Sequence, residues 1–166
     1  VTEHREFAEF YSASFQKLAA ALYVYTGDLA EAQDVVQEAM IRALARWSTV
    51  STYDEPAAWV RRVAWNIATS RWRRVRRGLE LASRGHREEL APGPEPDRVA
   101  IVAALSDLPT RQRQAVILHY LEDLPIAEIA AMIGVAEGTV KSWLHRARTT
   151  LADRLSELAP EEVDRV

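Results

Sequence analysis

Cysteine is absent, which excludes disulfides, thiolate metal ligands and a thiol redox switch. Histidine is scarce: His4, His86, His119 and His145 stand apart, without the paired spacing of a zinc site. No metal and no cofactor is therefore expected. Nowhere does the chain hold the roughly 18 consecutive apolar residues that a membrane span requires. No signal peptide is evident before the first periodic segment, so a cytoplasmic protein without membrane insertion is expected. No catalytic cluster is evident either, and no enzyme is expected. Lysine is nearly missing, two residues against nineteen arginines. A GC-rich genome produces that bias as readily as function does, and Val1 fits an unedited GTG codon.

What remains is the composition of a globular protein. The 166 residues are 48 % apolar and 27 % charged, enough for one domain or two small ones. The net charge of −3 hides an uneven distribution. Residues 56–79 hold seven arginines and no acid, whereas residues 28–38 hold four acids and no base. Two basic surfaces and one acidic surface imply partners of opposite kinds.

The organising stretch is IAEIAAMIGVAEGTVKSWLHRAR, residues 126–148. Ile126, Ile129, Ala130 and Ile133 recur at helical spacing, and Gly134 follows as a helix stop. Val135 fills the corner, and Val140, Leu144, Ala147 and Leu151 resume the stripe. Between Gly138 and Ala152 stand Lys141, His145, Arg146 and Arg148 without an acid. This is the pattern of a helix-turn-helix whose second helix faces phosphates. The corner alone also fits a plain helical hairpin, so the rest of the chain decides.

That rest predicts helices throughout. Phe7, Phe10, Tyr11, Phe15, Leu18, Leu22 and Tyr25 mark a helix over about 3–25, stopped by Gly27. Asp28 and Glu31 have the spacing of a capping box for a second helix. Its inward stripe is Leu29, Ala32, Val36, Ala39, Met40, Ala43, Leu44 and Trp47, opposite Asp34, Gln37, Glu38, Arg42 and Arg46. A polar loop, residues 48–55, leads to a helix over 56–77 begun by Pro56. Trp59, Val63 and Ile67 face inward there. Its arginines are interleaved with Trp65, Asn66, Ser70 and Trp72, side chains able to hydrogen-bond to bases or stack on them. Residues 78–98, with three prolines and three glycines, read as a flexible linker. Asp97 is expected to cap a helix burying Val99, Val102 and Leu105. Thr110 is expected to cap another burying Ala115, Val116, Leu118 and Leu121. The tail after Leu158 reads as frayed. The fold class is all-α, with two small helical domains over 1–77 and 99–166.

In this order the features resemble the group 4, or extracytoplasmic-function (ECF), sigma factors of bacterial RNA polymerase. Residues 28–47 are similar to the helix of region 2 that binds the polymerase clamp, residues 55–77 to the adjoining helix that recognises and melts the −10 element, and residues 105–151 to region 4. The resemblance implies no catalytic residue. It implies core-polymerase contacts at Asp34, Gln37, Glu38 and Arg42. It implies −10 contacts at Ser48, Thr49, Ser51, Tyr53, Asp54, Asn66, Arg71, Arg73 and Arg74, with the loop capturing a flipped base. It implies −35 contacts at Thr139, Lys141, Ser142, Trp143, His145 and Arg146, and a phosphate contact at Arg148. The implied partners are core polymerase through its β′ clamp and β flap, promoter DNA, and an anti-sigma factor or other regulator. The sequence departs from the family at Trp65 and Trp143, often basic there, and at Leu124 and Pro125. A helix-turn-helix regulator, or a sigma-like protein without initiation activity, is the alternative.

Overall fold

The structure, a computed structural model, describes residues 1–81 and 96–158, with the side chains of 1–78 and 98–157. Among the described residues there are helices and turns but no strand, as expected of an all-α chain. The chain divides into two compact units, Val1–Glu95 and Pro96–Val166.

In the first unit α1 (Thr2–Thr26) turns at Gly27, whose φ of 73° lies where a side chain would be strained. The helix α2 (Leu29–Ala45) follows, capped by Asp28, whose Oδ1 accepts from the Glu31 N–H at 3.0 Å. Only half of the expected capping box forms. The Asp28 N–H donates to Thr26 Oγ1, and the Glu31 carboxylate turns to Arg71 instead. A one-turn helix α3 (Trp47–Val50) and a tight turn lead to α4 (Pro56–Leu81).

α1, α2 and α4 pack around Leu22, Tyr25, Val35, Val36, Met40, Val60, Ala64 and Trp65, each at most 2 % exposed. The valine, leucine and methionine side chains among them contribute about 1.5–3 kcal/mol apiece through burial. Trp65 stands edge-on to Tyr25 at 5.0 Å, so the expectation of an exposed, base-stacking Trp65 is corrected. Trp65 directly follows the buried Ala64 and widens the buried face beyond the expected stripe of Trp59, Val63 and Ile67. Leu44 is 46 % exposed, against expectation, while Val35, outside the expected stripe, is buried. The expected loop 48–55 is helical through Val50, because Thr49 and Val50 donate back to the Arg46 carbonyl.

The second unit comprises α5 (Pro96–Ser106), α6 (Thr110–Val116), a π-helical turn (Ile117–Leu121), α7 (Ile126–Ile133) and α8 (Glu137–Leu158). The expected Thr110 cap does not form: Pro109 occupies the cap position before it, without a side-chain cap bond. The side chain of Asp97, the other expected cap, lies outside the described residues. Val99 is exposed while Leu105 is buried. The π turn closes through Glu122 N–H to the Ile117 carbonyl, five residues back, at 3.1 Å. That wider turn shifts the register, so Leu121 is exposed, against expectation, and Glu122 and Leu124 are buried. Gly134, at φ 80°, ends α7 as the sequence predicts. Ile129, Ala130, Val140, Leu144 and Ala147 form the core between α7 and α8. The expected linker 78–98 is helical at both ends, through Leu81 and from Pro96. Its residues 82–95 and the tail 159–166 lie outside the described residues.

Candidate nucleic-acid interface

On α2 the outward residues Asp34, Gln37 and Arg42 are exposed, and Glu38 is partly so. Glu38 is not a free acid. Its Oε1 accepts from Arg42 Nη2 and its Oε2 from Arg71 Nη2, both at 2.5 Å. Arg71 also reaches Glu31 Oε1 at 3.2 Å, so one guanidinium of α4 bridges two carboxylates spaced seven residues apart on α2. Partial burial pulls the Arg71 pKa down, but the hydrogen bonds and charges of Glu31 and Glu38 outweigh it and hold it above its ordinary value. The structure thus engages Arg71, grouped with the −10 contacts by resemblance, with the acidic helix.

Beside this bridge lies an open polar cleft of about 330 Å³, lined by Glu38 and Arg42 from α2 and by Asn66, Ser70, Arg71 and Arg74 from α4, with Ile67 between them. Two sets of expected contacts therefore share one groove. Arg73 and Arg74 are exposed and have no ion pair among the described residues. Ser48, Thr49, Ser51, Tyr53 and Asp54 are exposed in α3 and the turn after it, where Thr52 Oγ1 donates to the Thr49 carbonyl at 2.7 Å. Sequence reasoning missed Ile41. It is 66 % exposed and lies on the outward side of α2, three and four residues after Glu38 and Gln37. An apolar residue off the buried stripe was the available signal.

In the second unit the core side of α8 holds Val140, Leu144 and Ala147 against α6 and α7. The opposite side leaves Lys141, His145 and Arg146 exposed, without an ion pair among the described residues. Thr139, Ser142 and Trp143 are half-buried at the margins. Arg148 is exposed and donates to the Tyr120 hydroxyl at 3.0 Å, a partner the sequence did not suggest. An ion pair from Arg154 to Asp107 ties α8 to the corner between α5 and α6. Among the described residues no group of three potential ligands could hold a metal ion, and no helix is long and apolar enough to cross a membrane.

An exposed cationic helix face in each unit, one of them on a helix-turn-helix, can bind nucleic-acid phosphates and present side chains to base edges. Family models described as Sigma-70 region 2 and Sigma-70, region 4 match residues 10–78 and 98–151. The chain is 33 % identical over 157 residues to the RNA polymerase sigma-E factor of Streptomyces coelicolor, covering 90 % of this chain and 86 % of that one. It is 36 % identical over 157 residues to the ECF RNA polymerase sigma factor SigL of Mycobacterium tuberculosis, covering 88 % and 89 %. Among solved structures, the sigma factor RpoE of Bartonella quintana, in complex with the anti-sigma factor NepR, superposes with a TM-score of 0.78 at 26 % identity, covering 97 % of this chain and 99 % of that one.

Proposed function

The chain belongs to the extracytoplasmic-function sigma factors of the sigma-70 family, and on that premise we propose that it is an alternative sigma factor. It joins bacterial core RNA polymerase in the cytoplasm and directs it to promoters through their −10 and −35 elements. The observation that carries this reading is the pairing of both family regions in one chain with an exposed cationic helix in each. The polymerase supplies the chemistry, and no catalytic step is assigned to this chain.

We assign polymerase docking to Asp34, Gln37 and Glu38, extended by the exposed Ile41. Charges there steer and orient, while an apolar side chain leaving water adds affinity. The −10 element is assigned to Asn66, Arg73 and Arg74 beside the cleft, with residues 51–54 receiving an extruded base. Arg71 serves as the tie that holds α4 on α2. The −35 element is assigned to Lys141, Ser142, His145 and Arg146. An anti-sigma factor is the expected regulator, since the similar RpoE structure is a complex with one.

Mixing the purified chain with core polymerase tests the reading. Co-elution on gel filtration, and sequence-selective run-off transcription from genomic fragments, are the expected results. A chain that binds DNA but never joins core polymerase would instead be a regulator of the helix-turn-helix kind.

A further inference from the structure

Three basic side chains of α8 fall on one strip: Lys141, His145 and Arg148, spaced four and three residues apart and all exposed. At the end of that strip Arg148 Nη1 donates to the phenol oxygen of Tyr120 at 3.0 Å. Tyr120 is 49 % exposed and sits in the π-helical turn Ile117–Leu121, outside the helix-turn-helix. Its ring is held in place: the His119 ring stands edge-on to it at 4.8 Å and 75°. His119 Nδ1 in turn lies 2.9 Å from the Leu124 carbonyl. A carbonyl only accepts, so Nδ1 carries the hydrogen and the imidazole orientation is fixed.

The hydroxyl that accepts from Arg148 keeps its own hydrogen, for which the described residues offer no acceptor. The guanidinium keeps four further N–H groups. Two exposed donors, one cationic and one neutral, thus adjoin at the end of the strip. We propose that Tyr120 and Arg148 form a two-donor clamp for a single DNA backbone phosphate flanking the bases that α8 reads. This rests on the reading of α8 as the −35 helix. Arg148 supplies the charge, and Tyr120 supplies direction and a second hydrogen bond. Because the phenol already orients the guanidinium, less side-chain freedom is lost on binding. The π turn has a role in this scheme, since it sets Tyr120 within reach of α8.

The test uses holoenzyme made from the full chain and bacterial core polymerase, with a fluorescent duplex selected by that holoenzyme from a randomised library. Tyr120→Phe keeps the ring and is expected to keep the melting temperature. It should weaken binding by about three- to tenfold, the size of one lost hydrogen bond. The same factor should appear on a duplex whose −35 half is scrambled, since a phosphate carries no base identity. Arg148→Ala should weaken binding and lower the salt slope by about one. Replacing phosphates singly by neutral methylphosphonates should locate one position at which both variants bind as well as the unaltered protein. Unchanged affinity of Tyr120→Phe, or a loss that persists on every methylphosphonate duplex, overturns the clamp. If Lys141→Ala and Arg146→Ala weaken binding while Tyr120→Phe does not, the clamp alone is wrong. If none of them does, the reading of α8 falls with it.

Discussion

Arg71 and Arg74 stand one helical turn apart on α4 and line the same cleft, yet their surroundings give them different work. Arg71 is divided between Glu31 and Glu38, whereas Arg74 is exposed and meets no carboxylate among the described residues. Arg71→Ala should therefore cost stability, by roughly 1 kcal/mol after allowing for groups that are about one-third exposed. High salt should shrink that cost in thermal unfolding. The raised Arg71 pKa makes its contribution fully present below the ordinary arginine value, lost only as pH rises through the higher one. Alkaline titration over the usual working range should leave the tie intact. Arg74→Ala should leave the melting temperature alone and weaken DNA binding instead. Equal melting temperatures for the two variants would remove the distinction. Trp65 separates core from interface in the same way. At 1 % exposure and edge-on to Tyr25, it should cost about 3–5 kcal/mol when replaced by alanine. A Trp65→Ala protein of normal stability with a DNA defect would restore the stacking role that the sequence suggested.

At the scale of the helix, what period and punctuation encode was legible. Gly27, Asp28, Pro56 and Gly134 each end or begin a helix as their chemistry requires. Both cationic faces of the candidate site were legible for the same reason, as charge imbalance at helical spacing survives folding. Contacts made across the fold were not. Nothing in the spacing of Glu31, Glu38 and Arg71 announces that one guanidinium serves both acids, and nothing in residues 117–121 announces a π turn. An inward assignment of Leu121 follows from counting α-helical steps, and one wider turn is enough to undo it. The turn has a local cost, visible just past it at Asp123, a non-glycine residue with φ of 54°. Aspartate tolerates that conformation better than a branched residue does. Asp123→Gly should therefore be neutral or mildly stabilising, while Asp123→Val should destabilise the second unit by about 1–3 kcal/mol. Thermal unfolding of the two variants decides, and equal stability would mean that the backbone there relaxes freely.

For the molecule as a whole, two cationic faces in separate units mean that each can bind weakly while both together bind well, once a polymerase surface holds them at the promoter. Defects in the two units should then differ in kind. On the proposed assignment, a loss at Arg146 removes a recognition contact that exists before and after the duplex opens. It should cost roughly 1–3 kcal/mol at the preferred −35 sequence if Arg146 reads a base edge. On the same assignment, a loss in the turn at residues 51–54 removes something needed only when a base has left the stack. Those residues are exposed, between the helix assigned to polymerase and the arginine-rich helix. Glycine replacement of Ser51 to Asp54 should consequently spare polymerase binding and closed-complex formation. It should slow opening, which a fluorescent base analogue in the −10 element reports directly. Unstacking costs about a few kcal/mol per step, offset when the extruded base is held. On a promoter already unpaired at −10 that cost has been removed, so the turn variant should recover while Arg146→Ala remains defective. Recovery of both on unpaired DNA would mean that the two units do not divide the work in this way. Normal opening by the turn variant on paired DNA would take the base-holding role away from residues 51–54.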